Sequence, residues 1–191
     1  MIFIKKICDY FCYTIVISAI LFVTGCTDTL LSPVPPSFQF TKEESQTGLV
    51  AFSVVCTGIH YAIGATIINV KTDQTHHFMF TCDLQEGYSQ IKILKIPAGY
   101  YTFGKISYFD GYATHSTNEK NHFYFTIQAH KVNYIGRIYY TINGSKLITG
   151  VNSESVVDIP QIKMALPELS PNNYVVLFWG KDDFGDFIAK E

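Results

Sequence analysis

A chain of 191 residues with a formal net charge of −2 carries no basic excess, and its only arginine is Arg137. That excludes the electrostatic footprint of a nucleic-acid binder. Charged residues make up only 16% while 15 Phe and 13 Tyr crowd the chain, a mix that favours strands over helices.

The first element is a leader. Lys5 and Lys6 are the only charges before Asp9, and the 13 residues Phe11 to Val23 carry none, as in the apolar core of a signal peptide. The run is too short to span a hydrocarbon core, which takes about 20 residues. Extending it toward the N-terminus would bury Asp9, an expensive step. Small residues Thr24 and Gly25 then lead to Cys26.

The stretch Val23-Thr24-Gly25-Cys26 resembles the lipobox of bacterial lipoprotein precursors. The resemblance implies acylation of Cys26, with palmitate or a similar chain, and cleavage before it. Residues 1–25 are then a signal peptide, and the membrane is a partner through the lipid on Cys26. Each buried methylene contributes about 0.8 kcal/mol, so two or more acyl chains make retention stable. In enteric-type lipoproteins an aspartate directly after the cysteine favours the inner membrane. Here Thr27 comes first and Asp28 second, so the expected location is the outer membrane, facing the periplasm.

Cleavage removes two of the five cysteines, and lipid takes Cys26. Cys56 and Cys82 remain, and in an oxidising compartment such a pair is expected to form a disulfide. Val50, Phe52, Val54 and Cys56 alternate along one strand face, and Phe78, Phe80 and Cys82 along another, so both thiols point with apolar neighbours. The alternative is two separate buried thiols.

Residues 26–46 read as the lipidated cysteine followed by a flexible tether, because Pro33, Pro35 and Pro36 disfavour helix. A β domain is expected over 47–180 and a tail over 181–191. From Gly48 the period is two, predicting strands at 49–57, 61–70, 75–82, 89–96, 100–109, 122–128, 132–142 and 146–149. Gly64 is a candidate bulge. In the strand at 132–142, Val132, Tyr134, Ile138, Tyr140 and Ile142 are expected to share one face. Asn143-Gly144 is a strong hairpin signal. Ser155 or Asp158 could cap a short helix reaching Leu166, with Pro160 tolerable only in its first turn. Tyr174–Trp179 is a last apolar run. The pattern predicts a mainly β chain, an antiparallel β-sandwich with one short helix near the C-terminus.

A second resemblance covers roughly residues 48–142. Ile96-Pro97-Ala98-Gly99-Tyr100-Tyr101-Thr102-Phe103, Phe123-Tyr124-Phe125-Thr126-Ile127 and Lys131-Val132-Asn133-Tyr134-Ile135-Gly136 are similar to stretches of small bacterial lipoproteins of uncharacterised function. The likeness implies a transthyretin-like or related sandwich and brings no catalytic residues. His130 stands where a glycine is usual in that family.

No stretch carries a recognisable reaction. His76 and His77 are adjacent on a strand and face opposite sides, so they do not easily share a metal ion. His115 and His122 flank a polar loop. Asp182, Asp183 and Asp186 lack the spacing of a calcium loop. No serine sits in a nucleophile elbow, and no glycine loop for phosphate is present. No cofactor or metal is implied. Tyrosines remain as candidates for contact with protein or sugar: Tyr88, Tyr108, Tyr112 and Tyr124, with one member of each pair Tyr100/Tyr101 and Tyr139/Tyr140, are expected to face outward. The expected interaction surface is Tyr112, His115, Asn118, His122 and Tyr124. The reading is a non-enzymatic, lipid-anchored envelope module that contacts envelope proteins or the cell wall. The alternatives are a small-ligand or glycan-binding lipoprotein and a hydrolase with an unrecognised site.

Overall fold

The computed structural model describes residues 29–57, 62–82, 89–109, 114–116, 123–143 and 146–177. The strands are β1 (Thr29–Leu30), β2 (Thr47–Thr57), β3 (Ala62–Asn69), β4 (Thr75–Thr81), β5 (Ser89–Pro97), β6 (Gly99–Phe109), β7 (Thr114–Ser116), β8 (Tyr124–Ile127), β9 (Val132–Asn143), β10 (Lys146–Asn152) and β11 (Tyr174–Val176). Among the described residues one α-helix, α1, spans Ser155–Ala165. The chain is mainly β, as its composition predicts.

The strands form two sheets. The first has the order β1-β4-β3-β6-β7, with β8 also pairing β6; the second has the order β10-β9-β2-β5, with β11 also on β9. The expectation of purely antiparallel sheets is not met. β1 runs parallel to β4, β11 to β9, and β2 to β9 through the centre of the second sheet. Parallel neighbours need long crossovers, and β2 and β9 are separated by most of the domain.

The two sheets bury a common core. Val50, Phe52 and Val54 of β2 and Leu94 and Ile96 of β5 meet Ile63 and Ile67 of β3, Phe78 and Phe80 of β4, Phe103 of β6 and Phe125 of β8. Edge-on ring contacts such as Phe52 to Phe78, with centroids 5.5 Å apart, fix the register of the two faces. A second core lies on the other side of the second sheet. There Leu49, Ala51, Ile93, Val132 and Tyr134 are covered by Ile162 and Leu166 from the helical segment and by Phe38. The order of layers is therefore first sheet, second sheet, helix.

Two bulges set which side chains face which layer. On β9, Ile135 and Gly136 lie between the partners of Ala51 and Ser53, and Gly136 has φ 108°, a conformation suited to glycine. The extra residue reverses the alternation. Val132 and Tyr134 face the helix while Ile138 and Tyr140 face the first sheet, so the single face expected for these residues is split. The other bulge is in β6 rather than at Gly64, which is in regular register with Ser107. It falls at Gly104 and Lys105, opposite Thr66. A Cβ on Gly104 would sit 2.5 Å from Thr66 Oγ1 and 2.6 Å from Ile68 Cδ1, so any side chain there would force both to move.

The described part of the expected tether is packed on the fold. Leu31 N–H donates to His77 O at 2.6 Å, and Val34 N–H donates to Ile93 O at 3.1 Å. Phe38 and Phe40 make an edge-on contact at 5.1 Å over the second sheet. Glu44 ends a 3-10 turn over Lys42–Glu44 and takes Lys95 Nζ at 2.8 Å. The prolines exclude helix, as expected, but direct the chain across the edges of both sheets instead of away from them.

The helix departs from expectation in two respects. Glu154 is its N-cap residue, not Ser155 or Asp158, and Pro160 lies inside it beyond the first turn. Pro160 is exposed, so its ring points to solvent. Asp158 turns toward the second sheet.

Candidate functional site

Cys26, Tyr112, Asn118 and His122 lie outside the described residues, as do Tyr88, Asp182, Asp183 and Asp186. Of the expected interaction surface, His115 and Tyr124 can be placed. Both are on strands that pair with the same edge of β6, His115 opposite Tyr108 and Tyr124 opposite Thr102. Six residues of strand separate those partners, roughly 20 Å. The two are thus on one sheet edge but do not meet.

Tyr124 is 46% exposed and stacks on Tyr100, 40% exposed, with centroids 5.6 Å apart and planes inclined by 14°. The two rings make a platform on the outer face of the first sheet. Beside it is a depression of about 210 Å³ lined by Tyr100, Tyr124, Thr126, Ile135 and Leu177. Tyr101 and Tyr140 point into the core, as the pairing of adjacent tyrosines requires. Tyr108, expected to face outward, is buried. It follows the β6 bulge, and its strand position takes it inward with Ile106.

The rest of that outer face is shallow. Small residues Gly64, Thr66 and Ser107 floor an open depression of about 420 Å³, bordered by Leu30, His77, Met79 and Lys105. Leu30 and Met79 are each 66% exposed. The strands of the first sheet contain no Asp or Glu, and Lys105 is their only Lys or Arg.

Cys56 and Cys82 are joined by a disulfide, Cα to Cα 5.7 Å, with 26 residues of separation. It ties the end of β2 in the second sheet to the residue after β4 in the first. Among the described residues no three His, Cys, Asp or Glu are grouped to hold a metal ion. His76 and His77 do face opposite ways. His76 is 2% exposed, packs against Tyr101 at 6.0 Å, and has no hydrogen-bond partner on either ring nitrogen. Burial, with some help from His77, lowers its pKa from the ordinary 6.5.

A polar cluster that sequence reading missed lies between the second sheet and the helix. Asp158 is fully buried and accepts the Tyr134 hydroxyl at 2.6 Å and the Ser53 hydroxyl at 2.5 Å. The Arg137 guanidinium donates to the other carboxylate oxygen of Asp158 and, through Nε, to Ser53 Oγ at 3.0 Å. Burial opposes the Arg137 charge, but the Asp158 carboxylate outweighs it and holds the guanidinium pKa above its ordinary value. Burial first and the bond to Asp158 second raise the Tyr134 pKa well beyond the usual phenol range. Serine, carboxylate, arginine and tyrosine recur in active sites, but Ser53 and Asp158 are 0% exposed, which leaves a substrate no approach. The cluster fastens α1 to the sheet. One signal in the sequence pointed to it: Arg137 is the only arginine and stands in an otherwise uncharged strand.

No family model and no curated protein matches the chain. Among solved structures it is similar to a leucine-rich repeat protein from Bacteroides thetaiotaomicron, at 15% identity and a TM-score of 0.37. The match covers 50% of this chain but only 14% of the length of that one. That likeness is too slight to place the fold.

Proposed function

We propose that the chain is a bacterial lipoprotein of the cell envelope, held by acyl chains on Cys26 and acting by contact rather than by chemistry. The observation that carries this is Val23-Thr24-Gly25-Cys26 at the end of an apolar run preceded by Lys5 and Lys6. The Cys56–Cys82 disulfide supports an oxidising compartment, the periplasm. Thr27 after the cysteine favours the outer membrane. The two facing sheets fit a sandwich related to the transthyretin-like kind, from which the three parallel pairings are a departure. The module's contacts with envelope proteins or the cell wall are assigned to the edge carrying His115 and Tyr124 and to Tyr112, Asn118 and His122 of the same stretch of sequence.

Replacing Cys26 with Ser tests the anchor. The variant is expected to lose acyl incorporation and to leave the membrane fraction. Unchanged acyl labelling with normal retention would sink the reading. A glycan-binding role is favoured by one observation, the exposed Tyr100–Tyr124 platform beside its small depression. Saturable binding of cell-wall sugar fragments, lost in Tyr124→Ala, would support it over a protein contact.

A further inference from the structure

We propose that the β1–β4 side of the outer face of the first sheet lies flat against the bilayer that holds the lipid anchor. The inference rests on acylation of Cys26. Three peptide steps separate Cys26 from Thr29, and a fully extended chain spans at most about 3.5 Å per residue, or roughly 10 Å here. The first residue of β1 is therefore within about one headgroup layer of the lipid-bearing cysteine. From Thr29 onward the chain is not free to act as a spacer, because β1 pairs with β4 and Leu31 is bonded to His77.

The anchor thus arrives at the edge of the first sheet, and the composition of that sheet's outer face suits the lipid surface. Leu30 and Met79 are each 66% exposed. Val70, at the start of the β3–β4 turn, is 39% exposed, and its N–H donates to Tyr100 O. Exposed aliphatic side chains bury apolar area at the boundary between headgroups and acyl chains. The strands of this sheet bring no carboxylate toward anionic headgroups, and Lys105 supplies a cation. The shallow floor of Gly64, Thr66 and Ser107 leaves the face open to headgroups. A second exposed apolar group, Val156, Val157 and Met164, is on α1. The helix covers the far side of the second sheet, so that group points away from the anchor and serves as the control.

The test uses the acylated protein in vesicles of phosphatidylethanolamine and phosphatidylglycerol. Single cysteines replace Met79, Leu30 or, as control, Val157, and each carries an environment-sensitive fluorophore. Spin-labelled lipids are the quencher, and flotation of the vesicles reports anchoring separately. The expected result is a blue shift and loss of emission for the probes at Met79→Cys and Leu30→Cys, with neither at Val157→Cys. Protein that floats with the vesicles while both sheet probes stay unquenched overturns the flat orientation and leaves the anchor standing. Protein without acyl chains that does not float overturns the anchor and this proposal together. The two sheet sites are read independently, so failure of one variant to fold leaves the other decisive.

Discussion

Arg137 and Asp158 form an ion pair inside the protein, on β9 and α1, with the Arg137 side chain only 15% exposed and the Asp158 side chain fully buried. Ser53 and Tyr134 complete the carboxylate's shell. Removing one partner leaves the other charge buried and uncompensated, which destabilises by about 3–5 kcal/mol. Asp158→Ala is expected to show a loss of that size in denaturant titration. The double variant Arg137→Met, Asp158→Leu is expected to recover much of it, because no unpaired charge remains. Additive losses from the two sites would contradict the coupling.

The disulfide Cys56–Cys82 closes a loop with 26 residues of separation and links the two sheets. In the chain-entropy model such a loop contributes about 3.5 kcal/mol by restricting the unfolded chain. Cys56→Ala with Cys82→Ala is expected to lower stability by that order, and reductant to have no further effect on the double variant. Thiol labelling of the native protein, unfolded without reductant, should modify neither Cys56 nor Cys82.

His76 is a buried base without a hydrogen-bond partner, and its folded-state pKa is lowered by burial. The unfolded chain then takes up a proton near 6.5 that the folded chain resists. Above that pH both states hold a neutral ring and the group contributes nothing. Below it stability falls, until the folded-state pKa is reached. The melting temperature is expected to drop below pH 6.5 more steeply in the native protein than in His76→Phe. Parallel pH profiles for the two would remove the assignment.

His130 has φ 54°, the left-handed region in which glycine is favoured. The turn keeps a glycine-like backbone despite the side chain. His130→Gly and His130→Ala both lose the ring contact with Phe40 at 5.4 Å. Their difference isolates the backbone, and Gly is expected to be the more stable by about 1 kcal/mol. Equal melting temperatures would show that the backbone relaxes instead.

Most strands were legible because period-two alternation is local. Phe123, Phe125 and Ile127 face the core, and Tyr124, Thr126 and Gln128 face out, as their order in the chain requires. The parallel pairing of β2 with β9 was not legible, since nothing within either strand names a partner so distant in the chain. β1 is too short to carry a period. The β9 bulge hid the split between Tyr134 and Ile138, because one extra residue reverses every later side chain. The pattern offers Ser155 or Asp158 equally as a helix cap, since an acid near a helix start is locally well placed there. The role of Asp158 is to meet Arg137, which only the folded layers bring near. Of the expected interaction surface, the exposure of Tyr124 was legible, but its stacking on Tyr100 depended on the β6–β8 register.

Lipidation of Cys26 is tested most directly by the intact mass of the protein extracted from membranes by detergent. The expected result is a chain beginning at Cys26, heavier than residues 26–191 by the mass of its lipid, with the addition mapped to the N-terminal peptide. A mass equal to the unmodified full chain, or to a chain cut elsewhere and carrying no lipid, would contradict it.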